Sequence, residues 1–129
     1  MPLQSVTQNL NGGLFAGMQN EALSKLVSAM REAFLFGSAT YDAANLVDGA
    51  GATSTITVTG AALGDLVLVS CGVDLQGITL TGYVSAANTV SFRLQNESGG
   101  PIDLASTTYR AVVLKASYFT STYQLGLAA

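Results

Sequence analysis

The chain has no histidine and no tryptophan, a single cysteine, two prolines, and five basic and eight acidic side chains among 129 residues. Without histidine there is no Ser–His or Cys–His nucleophile pair and no imidazole metal ligand. With one cysteine there is no intrachain disulfide. Cys71 lies in the apolar run Leu66-Val67-Leu68-Val69-Ser70-Cys71 and reads as a small core residue, since no imidazole stands ready to activate its thiol. The acidic residues Glu21, Glu32, Asp42, Asp48, Asp65, Asp74, Glu97 and Asp103 are scattered singly, and no motif sets two of them across a scissile bond. Most read as turn and cap residues: Asp48 precedes Gly49, Asp65 follows Gly64, and Glu97 lies in a glycine-rich loop. Asp48-Gly49-Ala50-Gly51 and Ser98-Gly99-Gly100 also read as turns. The first lacks the lysine of a phosphate-binding loop, and neither carries the alternating acidic ligands of a calcium loop. The expectation is a protein that is not an enzyme, with no catalytic residue, cofactor or metal.

Charge is scarce as well. Charged residues make up 10% of the chain, against roughly 25% in ordinary soluble domains, while 49% is hydrophobic. A lone subunit of this composition has little to keep it dispersed, which points to a protein packed against other subunits. Lys25, Arg31, Arg93, Arg110 and Lys115 are isolated from one another and the net charge is −3. No basic stripe exists to displace counterions from nucleic acid or to seek anionic lipid, so neither nucleic acid nor membrane is an expected partner. No run approaches the roughly 20 apolar residues that span a bilayer. Met1-Pro2-Leu3-Gln4 has neither the charge nor the apolar stretch of a secretory leader, so synthesis in a cytoplasm is expected.

What is present falls into an arm over 1–19, a helix over 20–37, a β-domain over 38–116, and a final strand or tail over 117–129. The arm is rich in Gln, Asn and Gly, yet Leu3, Val6, Leu10, Leu14, Phe15 and Met18 recur through it. Apolar residues in such a segment point to ordering on a partner. Asn20 is an expected N-cap and Glu21 suits the positive end of a helix dipole. Leu23, Leu26, Val27, Met30 and Phe34 then share one helical face, and Gly37 is the expected terminator. That face packs either on the chain's own β-domain or on a neighbouring subunit. In the tail, Tyr118, Phe119, Tyr123 and Leu125 fit either a last strand of the chain's own sheet or one added to a neighbour's edge.

The β-domain is read from alternation. Thr53 to Thr59 sets Ile56 and Val58 against Thr55, Thr57 and Thr59, the pattern of a half-buried strand. Leu66 to Cys71 is apolar on both faces, which predicts a central or interface-covered strand. Ile78 to Val84 and Thr89 to Gln95 alternate across a Ser85-Ala86-Ala87-Asn88 hairpin loop, Thr107 to Ala116 forms a last long strand, and Tyr41 to Leu46 is a further candidate. Tyr83, on the threonine face of its strand, is the one residue placed to stack on a sugar, although a solitary exposed tyrosine more often belongs to a protein contact. Short strands joined by Gly and Asn turns predict a mainly β fold: an antiparallel β-sandwich or jelly-roll-like domain preceded by an extended N-terminal arm and one α-helix.

The order of pieces from Asp48-Gly49-Ala50-Gly51-Ala52-Thr53, through the Thr-Val strand and Gly64-Asp65, to Val84-Ser85-Ala86-Ala87-Asn88-Thr89-Val90, the Asn96-Glu97-Ser98-Gly99-Gly100-Pro101 loop and Ile102-Asp103 resembles a small β-domain of tailed-bacteriophage virion proteins, the capsid decoration or cement proteins. The helix and both termini fall outside the resemblance. It implies a virion component that binds the outer capsid surface, with the major capsid protein and copies of itself, as a homotrimer, for partners. The arm, helix and tail residues named above are the expected contacts. A receptor- or carbohydrate-binding domain of a phage tail fibre or spike is the alternative.

Overall fold

The computed structural model describes residues 14–119, with side chains described from Glu21 onward. Leu3, Val6 and Leu10 of the arm and Tyr123 and Leu125 of the tail therefore lie outside the described residues, and of Leu14, Phe15 and Met18 only the backbone is described. The chain forms two units, Met1–Glu32 and Ala33–Ala129.

The first unit contributes helix α1, Leu14–Ala33. It differs from the sequence expectation at both ends. It begins earlier because Leu14, Phe15, Ala16, Met18 and Gln19 include strong helix formers that outweigh the roughly 1 kcal/mol cost of Gly17. Asn20 is consequently an interior residue and not a cap, and Glu21 is displaced from the first turn, which holds no acidic side chain. Arg31, in the last turn, lies where the helix dipole favours a cation. The helix also ends earlier. Phe34-Leu35-Phe36 is a run with strong strand propensity, and it continues as strand β1, Phe34–Tyr41, paired antiparallel along its length with residues 107–114. Phe34 thus belongs to a strand and not to the helical stripe. The spacing that assigned it to the stripe also suits a strand end. Gly37 does not terminate the helix either. A Cβ there would lie 2.5 Å from the Thr57 carbonyl oxygen and 2.7 Å from Val58 Cγ2, so glycine lets β1 approach the neighbouring strand.

The second unit is an antiparallel β-sandwich. After β1 come β2 (Gly51–Thr57), β3 (Leu66–Cys71), β4 (Thr79–Ala86), β5 (Thr89–Gln95) and β6 (Thr107–Leu114), followed by a 3-10 turn over Ala116–Phe119. The strands form two three-stranded sheets ordered β1-β6-β3 and β2-β5-β4. The segment 41–46 is not a separate strand: Tyr41 ends β1, and Leu46 makes an isolated bridge with Ile102. The β4–β5 hairpin is tighter than expected. Ser85 and Ala86 remain in β4, Ala86 pairs with Thr89, and Asn88 takes the left-handed conformation at φ 62°. The Asn88 side-chain oxygen accepts a 2.8 Å hydrogen bond from the Gly60 amide, fixing this turn to the end of β2.

Alternation then delivers the core. Ile56, Val84, Val90, Phe92 and Leu94 of one sheet meet Tyr109, Ala111 and Val113 of the other, with Val58, Ile78 and Leu104 closing the ends. Phe92 and Tyr109, from the two central strands, stack at 4.4 Å and 14°, and Tyr41 meets both rings edge-on. Gly82 serves the opposite margin as Gly37 does the first. A Cβ on it would fall 2.5 Å from Val69 Cγ1, so its absence allows β4 to close on β3.

Candidate interaction surfaces

Glu21 and Glu32 lie on α1, and the other acidic residues are held in separate loops. Asp65 Oδ2 accepts from Lys115 Nζ at 2.6 Å and from the Ala62 amide at 3.0 Å, while Oδ1 accepts from the Ala116 amide at 2.9 Å. Lys115 Nζ also donates to the Gly60 carbonyl at 3.0 Å. The Asp65 side chain is only 4% exposed. Burial alone would raise its pKa. The hydrogen bonds from Lys115, Ala116 and Ala62, with the lysine charge, outweigh burial and hold it below the usual carboxylate value. The result is a clasp joining the β3 entry to the β6 exit. Asp48 accepts from the Gly99 amide, and Asp74 closes a turn on the Gln76 amide. Glu97 accepts from Gln95, which itself accepts from Arg93. Among the described residues no three metal-ligating side chains gather.

Asn96, placed by its sequence in an ordinary loop, is fully buried and organises that loop. Its Nδ2 donates to the Leu46 and Gly100 carbonyls at 2.7 and 2.8 Å, and its Oδ1 accepts from the Ser98 amide at 3.0 Å. This carboxamide has no visible signal in the sequence beyond its place before a Ser-Gly-Gly turn.

Of the expected contact residues, Leu23, Leu26, Val27 and Met30 do share one side of α1, and each is 38–50% exposed. Along that helix Leu23, Ser24, Val27, Ser28 and Arg31 line a shallow, open groove. Tyr118 is half-buried and Phe119 is 52% exposed in the 3-10 turn, not in a strand.

The register separates the outer faces of the two sheets. On β2-β5-β4, Thr53, Thr55, Thr57, Thr79, Thr81 and Arg93 point outward with Tyr83. Arg93 donates to Thr53 Oγ1 and Gln95 Oε1, crossing the space that Gly51 leaves empty. On β1-β6-β3 the outward residues form two apolar rows, Phe34–Leu114–Leu66 and Phe36–Val112–Leu68. Phe36, Leu66 and Leu68 are 72%, 59% and 65% exposed. Apart from Phe34, none of these six is among the named contact residues, although Leu66 and Leu68 lie in the run whose double-faced apolar character predicts a central or interface-covered strand. β3 is an edge strand, so the central-strand reading of that run does not hold.

No helix among the described residues is long and apolar enough to cross a membrane. No protein-family model matches this chain, and no curated protein matches it by sequence.

Proposed function

We propose that the chain is a structural virion protein, a decoration or cement protein that binds the outer surface of a phage capsid as a homotrimer and stabilises it. In this reading it is made in the host cytoplasm and works on the assembled head, with the major capsid protein and its own copies as partners. The observation that carries the proposal is the amount of apolar surface left in water by so small a fold, with the α1 stripe of Leu23, Leu26, Val27 and Met30 as the contact. Contacts of this kind tolerate salt, because few charges take part. The order of turns and strands over residues 48–105 supports the same reading through its resemblance to capsid decoration proteins.

The test is co-sedimentation of the purified chain with expanded heads stripped of decoration, across a range of salt. Saturable binding that survives high salt is expected, and Met30→Asp abolishes it. Normal decoration by Met30→Asp removes the α1 stripe from the contact, and no binding by the wild type overturns the cement role.

The second reading, a receptor- or carbohydrate-binding domain of a tail fibre or spike, is favoured by Tyr83. Its ring is 51% exposed on a sheet face of threonine hydroxyls, and an exposed ring among hydroxyls is the kind of platform on which a sugar stacks. Glycan binding that Tyr83→Ala removes, without head binding, would establish it.

A further inference from the structure

We infer that the outer face of the β1-β6-β3 sheet is the self-association surface of this protein, packed against the same face of another copy of the chain. The face is built for contact along its whole width. Phe34, Leu114 and Leu66 form one row across the three strands and Phe36, Val112 and Leu68 the next, with no charge in either. Beyond them lies a polar row, Ser38–Arg110–Ser70, in which Arg110 is the only charged side chain on the face.

The other sheet is an internal control. It has the same number of strands and the same alternation, and apart from the exposed Tyr83 its outer side chains are threonine, serine, glutamine and arginine. The sequence thus supplies polar outer residues where a sheet faces water and withholds them here.

Size and charge select the occupant. The two rows expose apolar area on the order of 400 Å², within the range of the largest patches on monomers and about half of the roughly 800 Å² per partner in a stable interface. Leu63 and Phe119, 73% and 52% exposed, flank the Asp65 clasp at the same end of the sheet, and the serine and arginine row provides a polar rim. An uncharged apolar patch demands no complementary charge from a partner, and sheet faces pack through interdigitated side chains. A same-face contact is two-fold, so it pairs subunits and is separate from the three-fold contact of the proposed homotrimer; it is read from mass alone, without capsids, so its failure and the failure of the virion reading are distinguishable.

The experiment is light scattering on the full chain across micromolar concentrations. The wild type is expected to run as an oligomer. Leu68→Asp, at an exposed site, is expected to weaken self-association by about 100-fold or more, because it would place an unpaired carboxylate in the apolar centre. Leu68→Thr, which copies the other sheet's outer face, guards against a folding failure of the aspartate variant and is expected to weaken association about tenfold. Val47→Asp, at an equally exposed site off this face, leaves the mass unchanged. A monomeric wild type at every concentration, as when other segments of the same chain cover the face, overturns the inference. So does an oligomer that persists in both Leu68 variants, or one lost equally in Val47→Asp.

Discussion

The two sheets of the sandwich share a plan and differ in one respect. Each has three antiparallel strands, each sends alternate residues into a common core, and each offers a seven- or eight-residue central strand, β5 or β6. Their inner faces are interchangeable in character. Their outer faces are not: one is a lawn of hydroxyls around the Arg93 network, and the other carries Phe36, Leu66 and Leu68 into solvent. The fold requires only the inner faces to be apolar. The outer faces are free of that demand, so their difference reports what each sheet meets outside the domain. A small domain with few charges gains solubility from every polar outer residue, and six apolar ones gathered on one sheet are a cost to a lone subunit that association would offset.

If the inner faces are equivalent, damage there should be severe whichever sheet is struck. The largest effect is expected from Phe92→Ala, which empties the fully buried ring that stacks on Tyr109. It should cost about 4 kcal/mol in chemical denaturation at one fixed protein concentration. A loss below about 1 kcal/mol would mean the core does not depend on the stack. Next comes Gly82→Val. Its Cβ would fall 2.5 Å from Val69 Cγ1, where the sheets close on each other, and about 3 kcal/mol of destabilisation is expected. A neutral result would show that β3 can move outward, and with it the apolar outer face.

The Asp65 clasp belongs to the end of the apolar-faced sheet, and the other sheet has no equivalent ion pair among the described residues. Asp65→Asn should cost about 2 kcal/mol near neutral pH, since it removes the charge that Lys115 Nζ and two amides converge on. The pH dependence has a definite sign. The folded-state pKa lies below the ordinary 3.8, so the unfolded chain takes up a proton first as pH falls. The stabilisation is therefore complete above the unfolded value and is lost as pH drops through the folded one. The gap between wild type and Asp65→Asn should stay constant above about pH 5 and shrink as pH falls below the ordinary carboxylate value of 3.8. A gap indifferent to acid would remove the carboxylate charge as its source.

The inner faces were legible in the sequence and the outer ones only in part. Alternation at Ile56 and Val58, and at Val90, Phe92 and Leu94, reports burial directly, because period two allows no other assignment. The helix boundaries were not legible. Leu23, Leu26, Val27 and Met30 set a helical period that Phe34 continues by coincidence, while its strand pairing with Leu114 depends on residues eighty positions away in sequence. Gly37 shows the same limit: a glycine after a helical pattern reads as a stop, and only the 2.5 Å approach of the Thr57 carbonyl reveals it as clearance between strands. Of the candidate surfaces, the α1 stripe was legible from spacing. The sheet face was half legible, because Leu66 and Leu68 announce themselves in one strand, whereas the rows they form with Phe36 and Val112 exist only once register is known.

The smallest expected effect concerns the one place where the paired inner faces fail to match. Phe92 and Tyr109 face each other from the central strands, but Tyr109 carries a hydroxyl that is buried and, among the described residues, without a hydrogen-bond partner. Leaving such a group dry costs about 1 kcal/mol or more, and removing it restores the symmetry of the stack. Tyr109→Phe should therefore stabilise the fold by about 1 kcal/mol. Alkaline titration provides an independent check. Burial, followed by the nearby Cys71, Tyr41 and Asp42, raises the Tyr109 pKa above 10.0, so the unfolded chain gives up that proton first. Wild-type stability then falls as pH rises past 10.0, and the phenylalanine variant, lacking the proton, should widen its advantage there. Destabilisation by Tyr109→Phe at neutral pH would instead mean that the hydroxyl holds a partner, and the two inner faces would differ in function as the outer ones do.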